Sequence, residues 1–163
     1  MKKIIKVVLL FTSIVSAEGM FSIGHKNFGL TVGQDSAYGN NYTVLGVNAN
    51  YFVVDNLALG ASYSQWLGDD PSIGQVTVPV TYFIPLTSVF RPYVGGFYSH
   101  TFMGDDGQGN DYNDYDSYGG RVGVSMMTSG SSYVSLGWVQ EFSDNGTSTQ
   151  SRGYPEFSAG ISF

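Results

Sequence analysis

The chain has 163 residues, of which 12% are charged and 15% aromatic, with 22 glycines, no cysteine and a formal charge of −6. That balance excludes a nucleic-acid binder, which needs a basic face, and the missing cysteines exclude disulfides and thiolate metal sites. After the first seventeen residues there is no apolar run of the roughly 18 residues that a membrane-spanning helix requires.

Residues 1–17 place Lys2, Lys3 and Lys6 ahead of an apolar stretch, and Val15, Ser16 and Ala17 offer modest or small side chains for cleavage. This is the layout of a secretory signal peptide, too short in its apolar part to span a bilayer. Cleavage is expected before Glu18, leaving residues 18–163 as a single domain. The basic residues that remain are Lys26, Arg91, Arg121 and Arg152 against thirteen acids, a formal charge of 4 − 13 = −9.

From there the dominant signal is a period of two, the mark of strands. A first strand is expected over 20–33. Phe28, Leu30 and Val32 share one face, but Phe21 and Ile23 have the opposite parity, so a bulge is expected between Gly24 and Asn27. Residues 34–41 read as a loop. Strand two, 42–54, sets Leu45, Val47, Ala49, Tyr51 and Val53 against Gly46, Asn48 and Asn50. After a tight turn at Asp55-Asn56, strand three, 57–67, sets Leu59, Ala61 and Tyr63 against Gly60, Ser62, Ser64 and Trp66. Strand four, 75–84, carries Val76, Val78, Val80 and Tyr82 on one face, with a distortion expected at Pro79. Strand five, 89–102, sets Val94, Tyr98 and Phe102 against Arg91, Tyr93 and Phe97.

Residues 103–117 form the longest irregular stretch, with Asp105, Asp106, Asp111, Asp114 and Asp116 interleaved with tyrosines. Strand six, 118–127, puts Val122, Val124 and Met126 opposite Arg121 and Gly123. Strand seven, 132–142, puts Val134, Leu136 and Trp138 opposite Tyr133, Ser135 and Glu141. After a polar loop over 143–151, strand eight, 152–163, ends F-S-A-G-I-S-F. Its Phe157, Ala159, Ile161 and Phe163 oppose Glu156, Ser158, Gly160 and Ser162.

Asparagines, serines and single charges on one strand face, with apolar side chains on the other, suit a sheet whose outside meets lipid and whose inside is wet. Eight strands is an even number, and the connections alternate between long and short. The fold class expected is therefore all-β: an eight-stranded antiparallel up-and-down transmembrane β-barrel. A soluble β-sandwich is the structural alternative.

The signal peptide, the eight alternating strands, the R-P-Y-V-G-G-F-Y segment at 91–98 and the terminal F-S-A-G-I-S-F resemble the small eight-stranded outer-membrane proteins. That family includes the transmembrane domain of outer membrane protein A, the outer membrane protein X type and the opacity-type porin-like proteins. The resemblance implies a monomer in the outer membrane of a Gram-negative bacterium, in contact with its lipid and lipopolysaccharide. It also implies insertion by the barrel-assembly machinery, which reads a terminal aromatic such as Phe163.

Inside such a barrel, ionisable groups are costly unless paired. Lys26, Arg91, Arg121, Glu141 and Glu156 are expected to form a lumen charge network. Arg121 and Glu141 are paired on adjacent strands, Lys26 lies within reach of Glu156, and Arg91 sits apart near the periplasmic end. The acidic stretch with Asp105, Asp106, Asp111, Asp114 and Asp116 reads as a solvated surface loop, a contact surface for an extracellular ligand. Its spacing fits no calcium loop. No cofactor, metal or nucleic-acid partner is expected. The function expected is non-enzymatic support of envelope integrity and surface contact or adhesion. The alternatives are a narrow or gated ion channel and, second, a lipid A-modifying enzyme. For the enzyme, Ser99 and His100 fall on opposite faces, and no acid is expected beside His100 on the lipid side.

Overall fold

The structure, a computed structural model, describes residues 19–37, 40–68, 71–104, 113–129, 131–144 and 149–163. Residues 1–17 of the signal-peptide reading and Asp105, Asp106 and Asp111 of the acidic loop lie outside the described residues. Eight antiparallel strands run in sequence order: β1 Lys26–Ala37, β2 Asn40–Val54, β3 Leu57–Leu67, β4 Ile73–Phe83, β5 Phe90–Met103, β6 Tyr115–Ser129, β7 Ser132–Asp144 and β8 Thr149–Ser162. Each pairs with its neighbours, and β8 closes on β1 from Asn27 opposite Ser162 to Gly33 opposite Glu156. Closure leaves no sheet edge, the condition for a β-structure in lipid.

The period of two sets the two surfaces. Leu30, Val47, Val78, Val122, Leu136 and Ile161 stand exposed on the outside, while Ser99, Ser117, Ser125 and Ser158 are buried within. A water-soluble sheet would place these classes the other way round. At 11 to 15 residues, the strands reach or exceed the roughly 9–11 needed to cross a bilayer, so the longer ones continue beyond it. That explains one difference from the sequence reading. Much of the expected loop 34–41 is strand, because polar residues outside the membrane keep the ladder, with Gln34 opposite Thr43 and Asp35 opposite Tyr42. Around Pro79 the ladder to β3 lapses between the Leu59–Val80 and Thr77–Ser62 pairs, as a residue without an N–H requires.

A second difference concerns residues 19–25. They are not the start of a strand but a run of turns folded into the barrel mouth at the foot of β1. Gly24 takes a φ of 87° there, and its N–H reaches the Phe52 carbonyl. This left-handed corner, open to glycine at little steric cost, reverses the parity and carries Met20 and Phe21 into the lumen.

Candidate functional site: the barrel lumen and its outer rim

The lumen is built in layers. At the end where β1 begins, Met20 and Phe21 pack with Phe52, Ala58 and Tyr133, and with the partly buried Phe83 and Met127. Phe21 meets Phe52 edge-on with ring centroids 5.6 Å apart and lies 4.7 Å from Phe83. Arg91, only 3% exposed, sets its guanidinium 4.5 Å from the Phe21 ring centroid and donates to Asn56 Oδ1. Asn56 is itself held at a φ of 66° in the β2–β3 turn, a conformation asparagine tolerates better than most.

Above this layer Tyr93 sets its hydroxyl end over Gly123 on β6 and Gly137 on β7. A Cβ at Gly123 would stand 2.5 Å from Tyr93 Oη, and one at Gly137 would also collide with that oxygen. Glycine at these positions is what lets the tyrosine lie against this part of the wall. Arg121 Nη2 on β6 reaches a Glu156 carboxylate oxygen on β8, spanning the intervening β7. Above and beside this pair lies a cavity of ≈ 110 Å³, lined by amides and hydroxyls that include Asn48, Asn50, Ser62 and Thr77.

The outermost layer centres on Glu141, 2% exposed. Its carboxylate accepts from Ser117 Oγ at 2.5 Å, Gln75 Nε2 at 3.1 Å, Arg152 Nη2 at 3.1 Å and Tyr154 Oη at 3.4 Å. Gln75 is on β4 and Glu141 on β7, so that hydrogen bond crosses the barrel. Arg152 also lies 4.7 Å from the Trp66 ring centroid, and Trp66 packs with Tyr42 and Ile73. Two layers of side chains therefore bracket the polar cavity, one ending on Phe21 and the other on Trp66.

Several expectations for the charge network change. Arg121 pairs with Glu156, and Glu141 pairs with Arg152, which stands directly opposite it in the β7–β8 register. The expected Arg121–Glu141 pair does not form because Glu141 lies further out along the barrel axis. Lys26 does not reach Glu156. It is exposed at the foot of β1, where its backbone pairs with Phe163, while Glu156 stands opposite Gly33 at the other end of that ladder. Arg91 is separate from the other charges, in the layer with Phe21 and Asn56.

On the outer rim, His100 Nδ1 lies 2.7 Å from Asp116 Oδ1, and Nε2 lies 3.8 Å from Asp114 Oδ2. An acid does stand beside His100 on the lipid side, contrary to the sequence reading, because β6 starts at Tyr115 and the ladder sets Asp116 opposite His100. The neighbouring hydroxyls turn the other way: Ser99 and Thr101 are buried, and Ser99 bonds Thr77 Oγ1 at 2.7 Å. Asp114 and Asp116 are exposed, and Asp114 Oδ1 accepts from Met103 N at 2.9 Å. Among the described residues no group of three or more acids and histidines is arranged to hold a metal. Phe163 is exposed at the seam, exchanging two backbone hydrogen bonds with Lys26 at 2.9 Å each.

No protein-family profile and no curated protein sequence matches the chain. Solved structures do. The N-terminal β-barrel domain of Pseudomonas aeruginosa OprF superposes with a TM-score of 0.66 at 16% identity, over 86% of this chain and 98% of that one. Neisserial surface protein A gives 0.62 at 15% identity, over 85% and 94%. Ail, the attachment invasion locus protein of Yersinia pestis, gives 0.54 at 12% identity, over 86% and 99%. At these identities the likeness is one of fold, and the fold is that of the small eight-stranded outer-membrane barrels.

Proposed function

We propose that this barrel is a closed, non-enzymatic outer-membrane protein of a Gram-negative envelope, supporting envelope integrity and offering its acidic outer rim for surface contact. The observation that carries this reading is the combination of an apolar outside with a lumen crossed by side chains at both ends. Such a molecule is anchored by lipid without being an open pore. In this reading residues 1–17 direct export, Phe163 is the mark for the barrel-assembly machinery, and the barrel sits as a monomer among lipid and lipopolysaccharide. The rim exposing Asp114 and Asp116, together with the connection carrying Asp105, Asp106 and Asp111, faces an extracellular ligand. Two of the proteins that share the fold are by name a surface protein and an attachment invasion locus protein, in keeping with a contact role.

The test has three measurements. Cell fractionation is expected to find the protein in the outer membrane. Planar bilayers containing the refolded chain are expected to show no sustained conductance. Cells displaying it are expected to lose surface attachment when Asp114 and Asp116 are changed to asparagine. Recovery in the periplasm, or a steady open-channel current, would contradict the reading.

A gated channel is the second reading, favoured by the polar cavity between the two closures. The enzymatic reading has less support despite the His100–Asp116 pair, since neither flanking hydroxyl shares its face. Mass spectrometry of lipid A with and without the protein is expected to show no change.

A further inference from the structure

We propose that residues 19–24 are a removable stopper in the periplasmic mouth, and that the lumen behind it is a passage selective for small anions when the closures open. The stopper is a side branch of the fold. It contributes no strand, enters the mouth before β1 begins at Lys26, and turns on the left-handed corner at Gly24. Its polar attachments lie at the barrel foot and include the bond from Gly24 N to the Phe52 carbonyl, beside the packing of Met20 and Phe21 in the lower layer. Asn56 N donates to the Phe21 carbonyl at 2.7 Å, Ile23 N to the exposed Asp55 carboxylate at 2.8 Å, and Ser162 Oγ to the Met20 carbonyl at 3.3 Å. The Phe21 ring bounds the polar cavity from below, so displacing it joins the cavity to the periplasmic side.

The charge of the passage follows from its lining. Among residues whose side chains are described, the lumen holds the guanidinium groups of Arg91, Arg121 and Arg152 against the carboxylates of Glu141 and Glu156. Two of the cations are paired with those carboxylates. The third, Arg91, is covered by the Phe21 ring and donates from Nη1 to Asn56, and its Nε is buried with no hydrogen-bond partner among the described residues. Removing Phe21 uncovers this cation at the mouth of a passage whose remaining lining is amides, hydroxyls, apolar and aromatic side chains and the mutually paired Arg121 and Glu156. A buried donor with no acceptor and an unpaired positive charge both suit an entering anion such as chloride. The chain as a whole is acidic, so this selectivity runs against its net charge.

Because the protein contains no cysteine, Ser62→Cys places a single thiol in the cavity. In refolded full-length protein, this thiol is expected to react slowly with a charged, water-soluble thiosulfonate reagent. Adding Phe21→Ala is expected to raise the rate by about tenfold or more, as a local closure is lost. Asp55→Ala, which removes only an exposed acceptor and leaves the barrel wall intact, is expected to raise it to a smaller degree and decides the matter if Phe21→Ala does not fold. An unchanged rate in a folded variant overturns the stopper. For selectivity, the Phe21→Ala/Trp66→Ala protein, opened at both ends, is placed in a bilayer under a potassium chloride gradient. The reversal potential is expected on the chloride side and to move towards zero when Arg91→Gln is added. A cation-selective reversal overturns the charge assignment.

Discussion

Glu141 and Arg152 face each other across the β7–β8 hairpin, and their side chains meet inside the barrel at 3.1 Å. The carboxylate is almost wholly buried and accepts from three further neutral donors, whereas the guanidinium keeps 27% of its side chain exposed. Glu141 is thus the hub and Arg152 the partner with an alternative in water. Glu141→Lys is expected to set two cations side by side under Trp66 and leave Ser117 and Gln75 without their acceptor. The cost expected is about 3–5 kcal/mol, typical of a broken buried pair. Arg152→Gln is expected to cost less, and Glu141→Arg/Arg152→Glu to recover part of the loss. Urea unfolding in detergent, followed by the folded-to-unfolded gel shift, measures all three.

The two ion pairs are independent in this arrangement. A double-mutant cycle on Arg121→Met and Glu156→Gln is expected to give a coupling of about 1–3 kcal/mol, since the residues share one contact. The cycle on Arg121 and Glu141 is expected to give less than about 0.5 kcal/mol. Equal couplings would mean that the three groups form one network.

Tyr93, packed over the glycines of β6 and β7, makes a contrast between two classes of glycine. At Gly123 a Cβ would stand 2.5 Å from Tyr93 Oη, while at Gly96, on the outer face, the nearest atom within range is the Gly119 carbonyl oxygen at 3.6 Å. Gly123→Ala is expected to destabilise by about 1–3 kcal/mol through overpacking. Gly96→Ala is expected to fall within about 0.5 kcal/mol of wild type. The same unfolding assay reads both.

Charge on the outer face has a cost set by depth in the bilayer. Val122, mid-strand and exposed, is expected to lose about 2–4 kcal/mol on change to lysine. Asp116→Lys at the outer end of the same strand is expected to cost less than about 1 kcal/mol, beyond any loss of its His100 contact. Refolding yield and unfolding midpoint in phospholipid bilayers provide the check.

The strand count, the two faces and the closed barrel were legible because lipid outside and a wet lumen inside impose the same two-residue period on every strand. What escaped depended on register or on long-range packing. Arg152 sits at the edge of a polar run that reads as loop. Parity counted back from Phe163 nevertheless puts it on the face of Glu156, and the hairpin register then sets it opposite Glu141. Asp116 was legible in the same way, since continuing the Val94–Val122 pairing outward brings it to His100. The inward fold of residues 19–25 had no such signal. Phe21 and Ile23 alternate like strand residues, and only packing against Phe52 and Phe83 shows that the segment enters the mouth.

The barrel wall separates a lipid-facing surface from a lumen with little room, and the protein's two tryptophans test this directly. Trp138 is 50% exposed on the outer face and Trp66 is 4% exposed inside. Each is made the sole tryptophan by changing the other to phenylalanine, and its fluorescence is measured in bilayers of brominated lipid. Strong quenching is expected for Trp138 and little for Trp66. Comparable quenching of both, or none of Trp138, would contradict the account.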